Sequence, residues 1–331
     1  MTVSRVVNGS SNVSKTMREL VMKAVQELNY RPNPAARTLA GAHGANIALI
    51  YTNPSSAFLS ELLVGALVGA RTAGAHLMLE AWHSVTPAIE RAAASELAKT
   101  AAGVILPPPL CESKIITAEL IAADIPIVAL ASGCFQEPLS CVRIDDFRAA
   151  HDVTNYLIKF GHTRIGFIIG HPNQMSSANR LEGFKEAMAE AGLTADPALI
   201  KQGYFTYQSG LEAADKLLTG KQPPTAIFAS NDDMAAATIS VAHRRGLDVP
   251  HDLSVVGFDD TPTAITVWPE LTTVRQPIAA MAETAVELLM RNVRRKADDI
   301  KVVVDHVVAH QLITRDSVAA PPKKRSQPAS K

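Results

Sequence analysis

Carboxylates, amides and one guanidinium recur in this sequence where short apolar runs end. Asn53 follows Ile47-Ala48-Leu49-Ile50, Asn231 and Asp232 follow Ala226 to Ala229, and Asp259 and Asp260 follow Ser254 to Gly257. Arg180 stands near the start of the amphipathic stretch that comes after Arg164 to Ile169. If the runs are strands of open α/β sheets, these side chains gather at the carboxyl ends, where such sheets hold ligands. Together they offer donors and acceptors in pairs, which is what adjacent sugar hydroxyls need. Phe58 and Phe205 supply aromatic faces for the apolar side of a pyranose ring. Asp and Asn in such places are also common helix caps, and spacing alone favours the cap for Asp232 and Asp260. The pairs Asp232-Asp233 and Asp259-Asp260 could supply an acid and a base to a glycoside or phosphate. Nothing in the sequence sets a nucleophile or a metal cluster beside them.

The elements that would hold these residues alternate along the chain. Strand-like runs at 47–50, 76–80, 103–106, 127–130 and 141–144 are separated by amphipathic stretches at 59–73, 87–100 and 115–123. After a long helix expected at 147–160 the alternation begins again, with strands at 164–169, near Leu199, at 226–229 and at 254–257. Helices at 178–191, 208–218 and 232–245 fall between them. Continuous rather than alternating apolar runs suit parallel sheets covered on both faces. The chain therefore reads as two α/β halves in succession. A helix at 278–295 and strands near 301–305 and 307–313 come last and must complete sheets begun earlier, so the chain crosses between the halves more than once.

With 331 residues there is enough chain for a large core and more than one domain. Net charge is zero, so any nucleic-acid role rests on a local basic patch. The sequence has no N-terminal apolar run with a cleavage site, and no stretch approaches eighteen uninterrupted apolar residues. A cytoplasmic protein without membrane contact is expected. Cys111, Cys134 and Cys141 lack a CxxC spacing and read as buried or incidental thiols. His306 and His310 would be about 13 Å apart along a strand, too far to share a metal. Gly65 and Gly69 are flanked by Glu61 and Arg71, so their GxxxG spacing reads as close helix packing rather than a membrane dimer motif. Gly220-Lys221 lacks the rest of a phosphate loop. No cofactor is implied.

The amino-terminal stretch has a different character. Val3, Val6 and Val7 form a helical apolar stripe, and Thr2, Ser4, Arg5 and Asn8 lie opposite, all able to bond a base edge or phosphate. Ser14 is placed to cap a helix from Lys15 to about Leu28, with Met17, Leu20, Val21, Ala24 and Leu28 on one face. Tyr30-Arg31-Pro32 stops it; Asn33-Pro34 restarts a helix that Gly41 ends. That helix is about two turns long, too short to persist alone in water, and it carries Ala36 and Leu39 as an apolar wedge suited to a minor groove.

In this order and spacing, TVSRVVN, NVSKTMR, LNYRPN and ARTLAG resemble the LacI/GalR family of bacterial transcription regulators. The resemblance continues to about Ser317 through CVRIDDF, ASNDDMA, SVVGFDD and LTTVRQP. It implies two Rossmann-like subdomains of periplasmic-binding-protein type with three crossovers, behind a helix-turn-helix and a hinge helix. It implies DNA contacts from Thr2, Ser4, Arg5, Asn8, Ser14, Tyr30, Asn33, Ala36 and Leu39. The implied effector contacts are Arg180, Asn231, Asp259 and Gln276, with Phe205 as the aromatic and Asp145 as a cleft-edge carboxylate; Asn53 and Phe58 join them from the strand-end reading. Trp268 is expected to pack at the hinge.

The expected divisions are a partial helix-turn-helix over 1–32, hinge and linker over 33–44, an effector and dimerisation domain over 45–318, and a disordered tail over 319–331. Within the large domain one subdomain takes 45–160 and 276–305, the other 161–275 and 306–318. The expected partners are operator DNA, a small-molecule effector of sugar type and a second copy of the chain, with no leucine repeat to extend a dimer to a tetramer. Met1 falls where the family is already inside its recognition helix, so weak, salt-sensitive DNA binding and a natural product longer by roughly 20 residues are expected. A sugar-binding protein that has lost DNA contact and a carbohydrate-active enzyme are the alternatives.

Overall fold

The structure, a computed structural model, describes Val6 and residues 14–27, 44–52, 55–82, 86–295 and 303–322. Two compact units divide the chain, Met1–Gly44 and Ala45–Lys331. In the first, helix α1 (Lys15–Glu27) forms where its period predicts, with the Arg18 amide donating to the Ser14 carbonyl at 3.0 Å. Its expected apolar face is largely exposed at Met17 and Leu20. Thr2, Ser4, Arg5, Asn8, Tyr30, Asn33, Ala36 and Leu39 lie outside the described residues, and so does the expected hinge helix.

In the second unit β1 (Asn46–Tyr51), β2 (His76–Ala81), β3 (Gly103–Leu106), β4 (Ile127–Leu130) and β5 (Ser140–Ile144) are joined by α2 (Ser56–Ala73), α3 (Pro87–Thr100) and α4 (Lys114–Ala122). Helix α5 (Asp146–Lys159) leads to β6 (Ile165–Ile169), α6 (Met175–Glu190), β7 (Ile200–Gln202), α7 (Tyr207–Leu218) and β8 (Ala226–Ala229). Then come α8 (Asp232–Arg244), β9 (Ser254–Asp259), α9 (Thr263–Thr266), β10 (Thr272–Arg275), α10 (Ile278–Val293), β11 (Asp305–Val308) and β12 (Gln311–Ile313). One six-stranded sheet runs β2-β1-β3-β4-β5-β11, all parallel; the other runs β7-β6-β8-β9-β10-β12, with only β12 antiparallel. Strands β3, β4 and β8 are buried at every position. That is why they read as unbroken apolar runs.

The chain passes between the sheets three times, at 144–146, 275–278 and 308–311. Helix α5 packs on α6 and reaches β10 and β12. The expected division at residue 160 is therefore corrected: α5 belongs with the second sheet. Its sequence alone cannot show this, because an amphipathic helix following a strand packs on either sheet with equal periodicity. The late strands also lie further on than expected, so the third crossing runs through Ala309 and His310. Residue 319 is no longer tail. The Ala319 carbonyl accepts from His162 Nε2 at 2.9 Å, and its amide donates to Ser254 Oγ at 3.1 Å. Residues 323–331 lie outside the described ones.

Helix α2 shows how closely the first sheet is covered. At 18 residues it is long and apolar enough to cross a membrane by length and composition. Instead, one face sits on α10: a Cβ at Gly65 would lie 2.0 Å from the Ala279 carbonyl oxygen, and one at Gly69 3.0 Å from Val286 Cβ. The GxxxG spacing thus packs two helices of one subdomain. Of the three thiols, Cys111 and Cys141 are buried, and burial holds Cys111 well above the usual range and Cys141 at about 12. Neither is a thiolate at neutral pH.

Candidate functional site

Helix capping at strand ends is what brings polar groups into one cavity. After β1, Ser55 caps α2 by accepting from the Phe58 amide at 3.3 Å. Asn231 caps α8 after β8: its Oδ1 accepts from the Met234 amide at 3.0 Å, and its Nδ2 donates to the Phe205 carbonyl at 3.0 Å. Both sit in extended backbone before a helix, as capping residues do. Asp259 ends β9, and Gln276 lies in the second crossing, donating from Nε2 to Asp259 Oδ1 at 2.6 Å. These residues, with Phe58, Arg180 and Phe205, line a cavity between the two sheets. Ser55, Pro108, Ala131, Gln174 and Ser176 also line it, and the sequence reading missed all five. Each follows a strand (β1, β3, β4 or β6), so the strand-end rule reaches them; their small or amide side chains carry no signal of their own.

Arg180 is the centre of the electrostatics. It is buried on α6, with Nε 2.8 Å from Asp146 Oδ1, Nη1 2.5 Å from the Ser230 carbonyl oxygen and 3.9 Å from Asp259 Oδ1. Its guanidinium carbon stands 3.6 Å from the centroid of the Phe258 ring, a stacking contact that arginine makes well. Burial raises the Asp146 carboxyl, and Arg180 opposes that rise by charge and hydrogen bond. Burial also pushes Asp259 well above the usual carboxylate range; Arg180 pulls it down and Asp232 pushes it further up.

The acids that spacing could not separate sort themselves here. Asp145, expected at the cleft edge, is exposed and caps α5 by accepting from the Arg148 amide at 2.9 Å; it does not line the cavity. The carboxylate that reaches Arg180 is its neighbour Asp146. Asp232 and Asp260, expected as caps, are not: Asn231 caps α8. Asp232 accepts from the Thr261 amide at 2.7 Å and from Thr273 Oγ1 at 2.6 Å, while Asp260 pairs with Arg275 and Arg315, each at 2.6 Å. Asp233 accepts from Ser55 Oγ at 2.8 Å across the cleft. Of the two acid pairs only Asp259 is among the described residues that line the cavity. Trp268, expected at the hinge, is 76% exposed and packs into no core. Asn53 lies outside the described residues.

Backbone strain marks the same place. Ala131, Phe205 and Asp259 line the cavity with φ of 56°, 61° and 109°, a region that residues other than glycine rarely enter. Such positions gather at functional sites. The cleft is also latched: the Met175 amide donates to Glu112 Oε2 at 3.0 Å, and Asn179 Nδ2 donates to the Gly133 carbonyl at 2.5 Å.

The site has a measurable pH signature. Burial raises the Asp232 carboxyl to about 7, against the hydrogen bonds from Thr273 and Thr261. A folded-state value above the unfolded one means that the native state holds the proton more tightly. This contribution to stability is full below about pH 4 and is lost as pH rises through about 7. Thermal melts between pH 5 and 7.5 are expected to show the wild type gaining less stability with rising pH than Asp232→Asn. Parallel profiles would remove Asp232 as the source.

Two α/β lobes, three crossings and a polar, aromatic-walled cavity at the strand ends define a small-molecule receptor of the periplasmic-binding-protein type. A family model for a periplasmic binding protein-like domain matches residues 154–318, and one for bacterial regulatory proteins of the lacI family matches residues 1–33. The chain is 36% identical over 321 residues to the HTH-type transcriptional regulator DegA of Bacillus subtilis, covering 96% of this chain and 94% of that one. It is 34% identical to catabolite control protein A of Priestia megaterium, over 91% of each chain. Among solved structures, the lac repressor dimer bound to operator and the anti-inducer ONPF matches with a TM-score of 0.81 at 27% identity, covering 96% of this chain and 95% of that one. A complex of the transcriptional regulator CelR with cellobiose matches with a TM-score of 0.74 at 30% identity, over 95% and 94%. The chain belongs to the lacI family of bacterial transcription regulators.

Proposed function

We propose that this chain is a sugar-responsive repressor that acts as a homodimer on operator DNA in the cytoplasm. The observation that carries the reading is the cavity itself: Arg180, Asn231, Asp259 and Gln276 converge there beside Phe58 and Phe205. Paired donors and acceptors against aromatic walls are the chemistry of a sugar ring. Relatives of this chain include a regulator in complex with cellobiose and a repressor dimer on its operator. Effector in the cleft favours one closure angle of the two lobes. In a dimer that rotation changes the spacing of the amino-terminal segments, and the hinge helices fold or melt with it. The test is selection of a binding sequence from a random duplex pool, followed by gel shifts with a panel of mono- and disaccharides. A sugar that changes operator affinity is expected. A chain that selects no sequence, or whose operator affinity no sugar alters, would not be this regulator.

The second copy has a surface to meet. Val64 and Leu67 stand 56% and 52% exposed on α2, and Ile265 on α9 and Trp268 just after it are exposed too. Large apolar side chains left in water mark contact surfaces, and tryptophan is among the commonest energetic anchors of interfaces. Light scattering is expected to give a dimer, and Trp268→Glu to weaken it by about 2 kcal/mol or more, roughly thirtyfold in dissociation constant. An unchanged dimer constant in Trp268→Glu would move the interface elsewhere.

A further inference from the structure

Among the described residues, the cation that lines the cleft and the amino termini of α2, α6 and α8 each stand beside a carboxylate of the protein, at α2 through Ser55 Oγ, which donates to Asp233 Oδ2 at 2.8 Å. Arg180 is the one cation lining the cavity among the described residues, and its Nε is matched by Asp146 at 2.8 Å. Asp259 stands 3.9 Å from its Nη1, so no positive charge is left over whether Asp259 is ionised or protonated. A helix amino terminus is the other usual seat for an anion. At α6, which presents Gln174 and Ser176 to the cavity, that seat is filled: the Met175 amide donates to both Glu112 oxygens, at 3.3 and 3.0 Å. At α8 the first turn carries Asp232 and Asp233, and the Asn231 side chain takes the Met234 amide. Bringing a phosphate here means displacing or facing these acids in a site mostly shielded from water, where like charges repel strongly.

From this we infer that the cleft takes uncharged sugars and rejects their phosphate esters, with Asp146 as the residue that sets this choice by neutralising Arg180. The inference rests on the cavity being the effector site, as proposed above. Relieving Arg180 of its partner creates an anion site at the same place.

The probes are glucose 6-phosphate and inorganic phosphate at millimolar concentration, with sodium chloride at matched ionic strength as the control. Thermal shift and calorimetry on the full chain read the outcome. The wild type is expected to show no saturable response to either probe. Asp146→Asn is expected to gain one, and the double variant Asp146→Asn/Arg180→Gln to lose it again. The double variant removes both charges together and so leaves no unpaired one buried. Should Asp146→Asn not fold, Asp259→Asn removes the other acid beside Arg180 and carries the same comparison. Saturable binding of glucose 6-phosphate by the wild type, absent from the double variant, would overturn the inference while leaving the regulator reading intact. So would an acid-to-amide variant that folds and gains no response. An operator complex indifferent to every sugar would overturn the regulator reading instead, and the charge result would stand apart from it.

Discussion

Arg180→Ala is expected to destabilise the two-lobed unit by about 3–5 kcal/mol, the usual cost of stripping one partner from a buried ion pair. The residue and Asp146 are both buried, and the loss leaves Asp146 without its cation. It also takes a stacked plane from Phe258 and a donor from the Ser230 carbonyl. Urea unfolding measures the change as a shift of midpoint at constant slope. Replacing both partners, as in Arg180→Met/Asp146→Leu, is expected to recover most of the loss, because no buried charge remains uncompensated. If Arg180→Ala cost less than 1 kcal/mol, as surface pairs usually do, the pair would be better solvated than its burial indicates.

Asp259→Ala is expected to weaken binding of the cognate sugar about ten- to a hundredfold. A hydrogen bond to a charged group contributes about 1.5–3 kcal/mol, and Gln276 would lose its acceptor in the same step. Alanine is also less tolerant than aspartate of a φ of 109°, so some loss of stability accompanies the change. Asp259→Asn separates the two effects: it suits that backbone better and keeps an acceptor oxygen, so it is expected to fold normally and bind between the wild type and Asp259→Ala. Calorimetry with the sugar that most alters operator binding reads both variants. Equal affinity in all three proteins would take Asp259 out of the effector's contact set.

Much of this site could be read from the chain because two simple rules overlap in it. Unbroken apolar runs give parallel strands, and polar residues just past their ends stand at the cavity; that rule places Asn231, Asp232, Asp259 and Asp260 there alike, and only the family resemblance singles out Asn231 and Asp259, which line it. The rules fail where a choice turns on a rotation of about 100° per residue at a helix start. Asp145 and Asp146 are adjacent and chemically identical, and whether the first or the second turns inward depends on the path of the first crossing. The same holds for Asn231 and Asp232, where the cap fell to the amide and the acid went to Thr261 and Thr273. Likewise, α5 changes sheets without any change in its own periodicity. Trp268 misled for a different reason: a large aromatic beside a crossing looks like packing until its exposure is known.

The three crossings have a mechanical consequence. Two bodies joined by one flexible linker can swivel, twist and separate. Here three short segments tie the lobes, two of them beginning on the paired strands β5 and β11. Short tethers side by side resist shear and separation while leaving bending easy, as a row of door hinges does. If the effector binds between the lobes as proposed, these tethers direct its effect into angular motion rather than into shear or separation. For the proposed dimer, in which one copy must register whether the other's cleft is full, direction is the content of the message.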